Sequence, residues 1–317
     1  MVVARSISRP VRERLHGGRF DGRVLAVFEH ACDLITHDGD VVALVTSQVG
    51  DGPLNVVVDG GAGLFAEVNL GAPVTLGGRG GVTPPLLCVG NLEVGLERAT
   101  VWEPCPDWEA LRSQRGAIVS RLPLLRALCL SCAPAGSLLA LLEAPQPDDA
   151  PVLSAAREAA ESLRLGWEGN LEYLREGAAG LAGLGSGLTP AGDDFLTGVM
   201  LWAHLAHPTP GPLCRTLVKV AAPRTTTLSA AFLRAAGRGE CGAAWHALLA
   251  ALSAGTDTEI AAATREVLAH GATSGADSLT GFLYPFYSPS SSATQPRASS
   301  SSLARVGRPS SSQPAIW

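Results

Sequence analysis

The pattern of apolar and polar positions changes its period near residue 104. Between residues 24 and 103, the apolar runs are short, rich in β-branched residues and separated by glycines, which is typical of strands joined by tight turns. The strands predicted are Val24–His30, Val41–Thr46, Leu54–Val58, Leu64–Leu70, Val74–Leu76, Leu86–Val89 and Leu92–Trp102, with a turn at His37–Asp40. Many short strands at close spacing favour a sandwich or a barrel-like domain.

After Pro104-Cys105-Pro106, the apolar positions recur with a helical period. The helices predicted are Trp108–Leu128, Leu138–Leu142, Val152–Leu165, Trp167–Glu176, Pro190–Ala206, Pro212–Val220, Thr227–Ala236, Ala243–Ser253 and Asp257–Ala269. The order of elements predicts an α+β fold, in which a β-rich domain (1–104) precedes a mostly α-helical domain (105–287).

The segment 288–317 has a different composition from the rest of the chain. It holds eleven Ser, four Pro and three Arg, and it has no acidic residue. Such a segment buries too little apolar surface to offset the entropy lost on ordering. We predict a disordered tail.

Charge and cysteine content narrow the class of protein. The formal net charge is −5, and Lys219 is the only lysine. A weakly acidic chain with one lysine is a poor candidate for a nucleic-acid-binding protein or a P-loop enzyme. The seven scattered cysteines are typical of reduced thiols, and no signal peptide or membrane span is evident. We expect a cytoplasmic protein that binds neither nucleic acid nor membrane.

The segment GLGSGLTPAGDDFLTG, residues 183–198, is the strongest candidate for chemistry. Its glycines free the backbone to expose N–H groups, and Thr189-Pro190 predicts a helix start with Thr189 as N-cap. A glycine loop that leads into a helix N-terminus is suited to binding an anion. Asp193 and Asp194 would stabilise the helix dipole, hold a cation with the anion or accept hydrogen bonds from an amide. A glycine-rich turn with acidic capping residues is the structural alternative.

A second segment, GATSGADSLTG at residues 271–281, repeats the pattern D-x-L-T-G. Ser274 and Asp277 have the spacing of a capping box, with Asp in place of the usual Glu or Gln. Two similar helix starts in one helical domain predict that they converge on a shared site. An architectural repeat without a ligand is the alternative.

A third segment, Arg224–Ser229, places a guanidinium and four hydroxyls before a helix, which suits a phosphate or a carboxylate but also fits an N-cap.

The candidate catalytic residues are Asp193, Asp194 and Asp277. The candidate substrate- or phosphate-binding residues are Gly185, Ser186, Gly187, Thr189, Gly192, Arg224, Thr226, Ser229, Thr273, Ser274 and Gly275. The sequence predicts no metal-ligand set and requires no cofactor, and Mg²⁺ is left open as a cation for the aspartates.

The segments GLGSGLTPAGDDFLTG, TTTLS and GATSGADSLTG resemble the signature segments of the AllH family. The resemblance covers about residues 24–284 and is strongest in 183–281. It implies a cytosolic subunit of an oxamate carbamoyltransferase that works with FdrA-like and AllG-like subunits. The implied reaction interconverts oxalurate plus phosphate with oxamate plus carbamoyl phosphate, so it requires two anions to be held together.

Two alternatives remain beside a catalytic subunit. The chain could serve as a non-catalytic scaffold or regulatory subunit of such a complex, and it could be an independent enzyme on a small amide or urea-derived acid. A homo-oligomer is compatible with each of them, since charged residues make up only 17% of the chain.

Overall fold

The computed structural model describes residues 1–16, 20–77, 86–147 and 149–287. The predicted disordered tail, 288–317, lies outside the described residues. No helix in the described part of the chain is long and apolar enough to cross a lipid bilayer.

In its described residues, the N-terminal part has nine strands, eight of which form a closed ring. The strands are β1 (Val2–Ser8), β2 (Asp21–Val27), β3 (Ala31–Thr36), β4 (Val41–Thr46), β5 (Asn55–Val58), β6 (Pro73–Gly77), β7 (Leu86–Val89), β8 (Leu92–Gly95) and β9 (Thr100–Trp102). Their order is β5-β4-β3-β2-β6-β7-β8-β1-β9, and an antiparallel pairing of β1 with β5 closes the ring. The strand β9 continues along β1 outside the closure.

Alternation along the strands separates the inside of this barrel from its outer face. Cys32 and Leu34 of β3 and Leu44 of β4 belong to the barrel core. Asp33 and Ala43, which alternate with them, pair across β3 and β4 on the other face. A helix, α1 (Arg9–His16), follows β1 and adds Val11 and Leu15 to the barrel core.

The rest of the described chain is helical. The helices are α2 (Trp108–Ser113), α3 (Arg115–Ser131), α4 (Pro151–Trp167), α5 (Leu171–Leu181), α6 (Ala191–Ala206), α7 (Pro210–Ala221), α8 (Thr227–Gly237), α9 (Ala243–Ala254), α10 (Asp257–Leu268) and α11 (Ser274–Tyr287), with 3₁₀ helices at Leu138–Leu142 and Ala222–Arg224. Helix α6 is buried along most of its length and lies in the helical core with α11.

The predicted α+β fold class is confirmed, and the differences from the predicted elements are local. The strand β1, the helix α1 and the strand β3 were not predicted. The predicted strand Val24–His30 corresponds to β2, and β3 follows it from Ala31. The predicted strand Leu64–Leu70 is wrong, because this segment forms turns in which Phe65 and Val68 are buried. Phe65 and Val68 fill the barrel core without strand pairing.

The barrel and the helices are in direct contact. Val41 and Leu54 of the barrel pack against Leu228 and Ala231 of α8. The Asp51 carbonyl accepts a 2.9 Å hydrogen bond from the Ala243 N–H at the start of α9. These contacts bring the outer face of β3 and β4 towards the helices that carry the repeated segments.

Candidate functional site

The two D-x-L-T-G segments lie side by side. The hydroxyls of Thr189 and Ser274 are 3.1 Å apart and hydrogen-bonded. Two glycines allow the close approach: a Cβ on Gly198 would lie 1.8 Å from the Ser278 carbonyl oxygen, and one on Gly281 would lie 1.9 Å from that of Phe195. The predicted convergence of the two helix starts is therefore confirmed.

The capping predicted at both helix starts is wrong. Pro190, not Thr189, is the N-cap of α6, and the Thr189 hydroxyl binds Ser274 instead. Helix α11 already includes Ser274, so Ser274 is not its N-cap. The Asp277 carboxylate accepts a hydrogen bond from the Leu138 N–H, on a different element. These side chains form hydrogen bonds with residues distant in the sequence instead of capping their own helices.

Asp193 binds groups of its own chain. Its side chain is 1% exposed. One carboxylate oxygen accepts a 3.1 Å bond from the Gly183 N–H, and the other accepts from the Thr225 and Ser229 hydroxyls, the latter at 2.9 Å. Burial raises the pKa of Asp193, and these hydrogen bonds lower it in part. Asp193 thus ties the glycine loop and the start of α8 to α6.

Asp194, the next residue, has a different environment. Its Oδ2 is buried and has no hydrogen-bond partner among the described residues. Burial raises the pKa of Asp194 to about 8, the Ser274 hydroxyl opposes this rise, and the charges of Asp277 and Asp193 add to it. At neutral pH the Asp194 carboxyl is therefore mostly protonated, which allows it to donate as well as accept a hydrogen bond.

Asp277 is fully buried and supports a neighbouring element. Its Oδ1 accepts a 2.6 Å hydrogen bond from the N–H of Leu138, the first residue of the 3₁₀ helix Leu138–Leu142. Burial raises the pKa of Asp277 to about 6. Asp277 thus joins α11 to the 3₁₀ helix and acts on Asp194 through its charge.

Several N–H groups that an anion site would use are already bonded. The Gly192 N–H binds the Leu184 carbonyl, and the N–H groups of Asp193 and Asp194 bind the Pro190 carbonyl. At the second helix start, the Gly275 N–H binds the His270 carbonyl. Anion binding at these helix starts stays a prediction, and these four donors are not free for it.

The tip of the glycine loop and Arg224 of the third segment are exposed. Gly183, Gly185 and Gly187 have positive φ angles of 70°, 114° and 92°. Residues with a side chain rarely adopt these backbone conformations, so the loop depends on glycine at these positions. Gly185, Ser186 and Gly187 are exposed. Arg224 is exposed and donates to the Val220 carbonyl of α7.

Thr226 is the N-cap of α8, as the structural alternative for this segment proposed. Its hydroxyl accepts a 3.1 Å hydrogen bond from the Ser229 N–H, which satisfies one of the free donors of the first turn. The same hydroxyl donates to the Leu188 carbonyl at 2.5 Å. Thr226 therefore also joins the glycine loop to α8.

A cavity of about 310 Å³ lies where the two converging segments face the barrel. From the helices, its lining includes Thr189, Asp194, Thr197, Ser274, Gly275 and Ser278. From the barrel, it includes Ala31, Asp33, Ala43, Val45, Asp51 and Asn55. A mostly apolar cavity of this size with a few polar groups is typical of a small-molecule site.

The predicted site residues divide into those that line this cavity and those that do not. Thr189, Asp194, Ser274 and Gly275 line it. The remaining predicted residues lie outside the lining: Gly185, Ser186, Gly187, Gly192, Asp193, Arg224, Thr226, Ser229, Thr273 and Asp277. Of these, Asp193, Thr226, Ser229 and Asp277 hold neighbouring segments in place through the hydrogen bonds described above.

Sequence reasoning missed the barrel side of the cavity. Asp33 is 5% exposed, and burial raises its pKa to about 6. Its carboxyl has no hydrogen bond or ion pair among the described residues. One signal was available in the sequence: an acidic residue stands in the apolar run Ala31-Cys32-Asp33-Leu34-Ile35.

The charged residues of the lining are almost all acidic. Asp33, Asp51, Asp194 and Glu240 contribute carboxyls, His270 stands beside them, and no described lining residue is Arg or Lys. No group of three or more His, Cys, Asp or Glu residues in the described chain is arranged to hold a metal ion. The carboxyls are therefore placed around the cavity without forming a metal site.

Comparison with known families gives two matches. Residues 181–286 match the model described as oxamate carbamoyltransferase subunit AllH, and residues 3–101 match the AllH family N-terminal domain. Together the two models cover most of the chain, including both sides of the cavity. No curated protein and no solved structure matches it.

Proposed function

The chain belongs to the AllH family, described as a subunit of oxamate carbamoyltransferase, and from this premise we propose that it supplies a reaction site in that enzyme. The proposed enzyme interconverts oxalurate plus phosphate with oxamate plus carbamoyl phosphate. It assembles from this chain and FdrA-like and AllG-like subunits in the cytoplasm. The site is the cavity between barrel and helices.

One observation carries the proposal. The two repeated segments, both within the matched residues 181–286, meet at Thr189 and Ser274, and next to this contact Asp194 lines the cavity with one buried, unpartnered oxygen. A buried carboxyl oxygen without a hydrogen-bond partner costs stability in the protein without ligand. Such a cost is typical of a group that is kept for a ligand.

The reaction needs a proton at one defined place. A phosphate oxygen attacks the carbamoyl carbon of oxalurate, and the bond from that carbon to the oxamate nitrogen breaks. The departing nitrogen takes a proton, which the raised pKa of Asp194 suits this residue to donate. The carboxylate then regains a proton from the hydrogen phosphate that attacked, and the reverse reaction uses the same steps.

Asp193 and Asp277 act as positioning residues in this proposal. Asp193 fixes the glycine loop and α8 relative to α6 through three hydrogen bonds. Asp277 is near enough for its charge to raise the pKa of Asp194. Both act on the reaction through Asp194 rather than through the ligand.

Reconstitution tests this proposal. The full chain, combined with FdrA-like and AllG-like subunits, should form carbamoyl phosphate from oxalurate and phosphate. Asp194→Asn, which keeps the shape and removes the proton, should lower kcat by about 100-fold or more. Asp38→Asn, at an exposed turn of the barrel, is the matched control and should leave kcat unchanged.

Two results would contradict the proposal. If the partner subunits turn over equally well without this chain, the chain is not needed for the reaction. If the complex needs the chain but Asp194→Asn has the activity of Asp38→Asn, the chain is a scaffold and the cavity is not the reaction site.

A further inference from the structure

The partners of the four lining carboxyls determine which of them remain for a ligand. Glu240 is held by Arg238 in a bidentate pair with distances of 2.7 and 2.8 Å. Asp51 accepts the Ser6 hydroxyl at 2.5 Å. Asp33 and the Oδ2 of Asp194 have no such partner among the described residues. The barrel therefore contributes one carboxyl without a partner, Asp33, and the helices contribute one carboxyl oxygen without a partner, the Oδ2 of Asp194.

The surroundings of these two carboxyls do not suit a phosphate group. No described lining residue is Arg or Lys, and two further carboxylates line the same space. Phosphate sites in proteins use guanidinium groups, ammonium groups or free backbone N–H groups. The backbone donors of Gly192, Asp193 and Asp194 already bind carbonyls of the chain.

The surroundings suit a neutral group that donates hydrogen bonds. Asp33 is buried on a face shared with Ala31 and Ala43, so a ligand N–H would satisfy an otherwise unpaired acceptor. A planar amide offers an N–H₂ donor and a carbonyl acceptor together. These match one carboxyl that accepts and a second that is mostly protonated and donates.

We propose that the cavity binds a primary amide or ureido group through the carboxyls of Asp33 and Asp194, while other subunits hold the phosphate group at the mouth of the cavity, within reach of the bound group. This rests on the proposed function for the reaction in which the group takes part. The proposal adds Asp33 as a ligand-binding residue. It also assigns the two substrates to different subunits: this chain binds the amide, and the rest of the complex binds the phosphate.

Two probes of nearly equal size test the inference on the full chain alone. Oxamate carries an amide N–H₂ where pyruvate carries a methyl group, and both are monoanions, so only oxamate presents the N–H₂ donor. Calorimetry at neutral pH should show oxamate binding at least tenfold tighter than pyruvate. Inorganic phosphate should neither bind in the cavity nor compete with oxamate.

Variants locate the binding. Asp33→Asn and Asp194→Asn should each weaken oxamate binding at least tenfold, and Asp38→Asn should not change it. A melting curve of each variant verifies folding, and Asp33→Ala provides a second substitution if Asp33→Asn does not fold. Pyruvate or phosphate binding that Asp33→Asn weakens would overturn the inference, as would no oxamate binding or unchanged oxamate binding in the Asp33 variants.

The two proposals fail in different experiments. If oxamate binds as predicted but the reconstituted complex makes no carbamoyl phosphate, the proposed reaction fails and the amide site stands. If the complex turns over normally with Asp33→Asn and Asp33→Ala, the reaction stands and the role of Asp33 is refuted.

Discussion

At the scale of single residues, Asp193 and Asp194 are adjacent in sequence but differ in their hydrogen bonds. Asp193 satisfies three donors of its own chain, whereas Asp194 leaves one buried oxygen unpaired. The sequence places both in the first turn of a helix and cannot distinguish them. The difference arises because consecutive helical residues point about 100° apart, so one faces α8 and the other faces the cavity.

Removing the Asp193 carboxylate should destabilise the protein. Asp193→Ala leaves the Gly183 N–H and the buried Ser229 hydroxyl without their acceptor, which should cost about 3 kcal/mol of unfolding free energy. Asp194→Ala removes a carboxyl whose Oδ2 has no partner, so its cost should be smaller. Urea unfolding of both variants at one pH measures the difference, and equal losses would contradict the assigned environments.

The pKa of Asp194 predicts how stability changes with pH. Folding raises this pKa from 3.8 to about 8, so the folded protein holds a proton that the unfolded chain releases. The free energy of unfolding should therefore fall as the pH rises towards 8, by about 1.4 kcal/mol per pH unit for this group. Asp33 and Asp277, with pKa values of about 6, add to the fall at lower pH only.

Asp194→Asn isolates that contribution because an amide does not titrate. Unfolding of wild type and variant from pH 5 to pH 8 should show the wild type losing about 2 kcal/mol more than the variant between pH 6 and pH 8. Parallel curves would mean that Asp194 is ionised in the folded protein throughout this range.

At the scale of elements, the two repeats form one helix pair. Gly198 of α6 packs on the backbone of Ser278, and Gly281 of α11 packs on that of Phe195, so each repeat contacts the matching position of the other. This reciprocal contact fixes where Thr189 meets Ser274. The repeat is therefore architectural as well as positioned at the cavity.

A methyl group at this contact should separate the helices. Gly198→Ala and Gly281→Ala each place a Cβ less than 2 Å from a carbonyl oxygen, and we expect each to lose about 3 kcal/mol or more. Gly116→Ala is the control, since a Cβ on this exposed helical glycine would point into open space and alanine favours a helix. Thermal unfolding should show the control unchanged or more stable; equal behaviour of all three would contradict the close contact.

Sequence periodicity predicted the helices well because each one buries an apolar face in a common core. It failed where a side chain found a distant partner. Thr189 and Ser274 have ideal local spacing for caps, yet they bind each other, and Asp277 binds Leu138. The true capping box, Thr256 with Glu259, follows the standard pattern and was not among the predicted caps.

At the scale of the whole molecule, two long-range arrangements create the site. Pairing of β1 with β5 closes the barrel, and the barrel face that carries Asp33 packs towards the helices that carry Asp194. Neither arrangement leaves a local signal in the sequence, because each depends on which surfaces meet after the elements form. For this reason sequence reasoning reached four residues on the helical side of the cavity, Thr189, Asp194, Ser274 and Gly275, and none on the barrel side.

A crystal structure of the full chain grown with oxamate tests most directly whether the cavity is the functional site. We predict oxamate in the cavity between barrel and helices, with its amide within hydrogen-bond distance of the carboxyls of Asp33 and Asp194. Oxamate bound instead at the exposed glycine loop, against Gly185 and Gly187, with the cavity empty, would contradict the central claim that the cavity is the functional site.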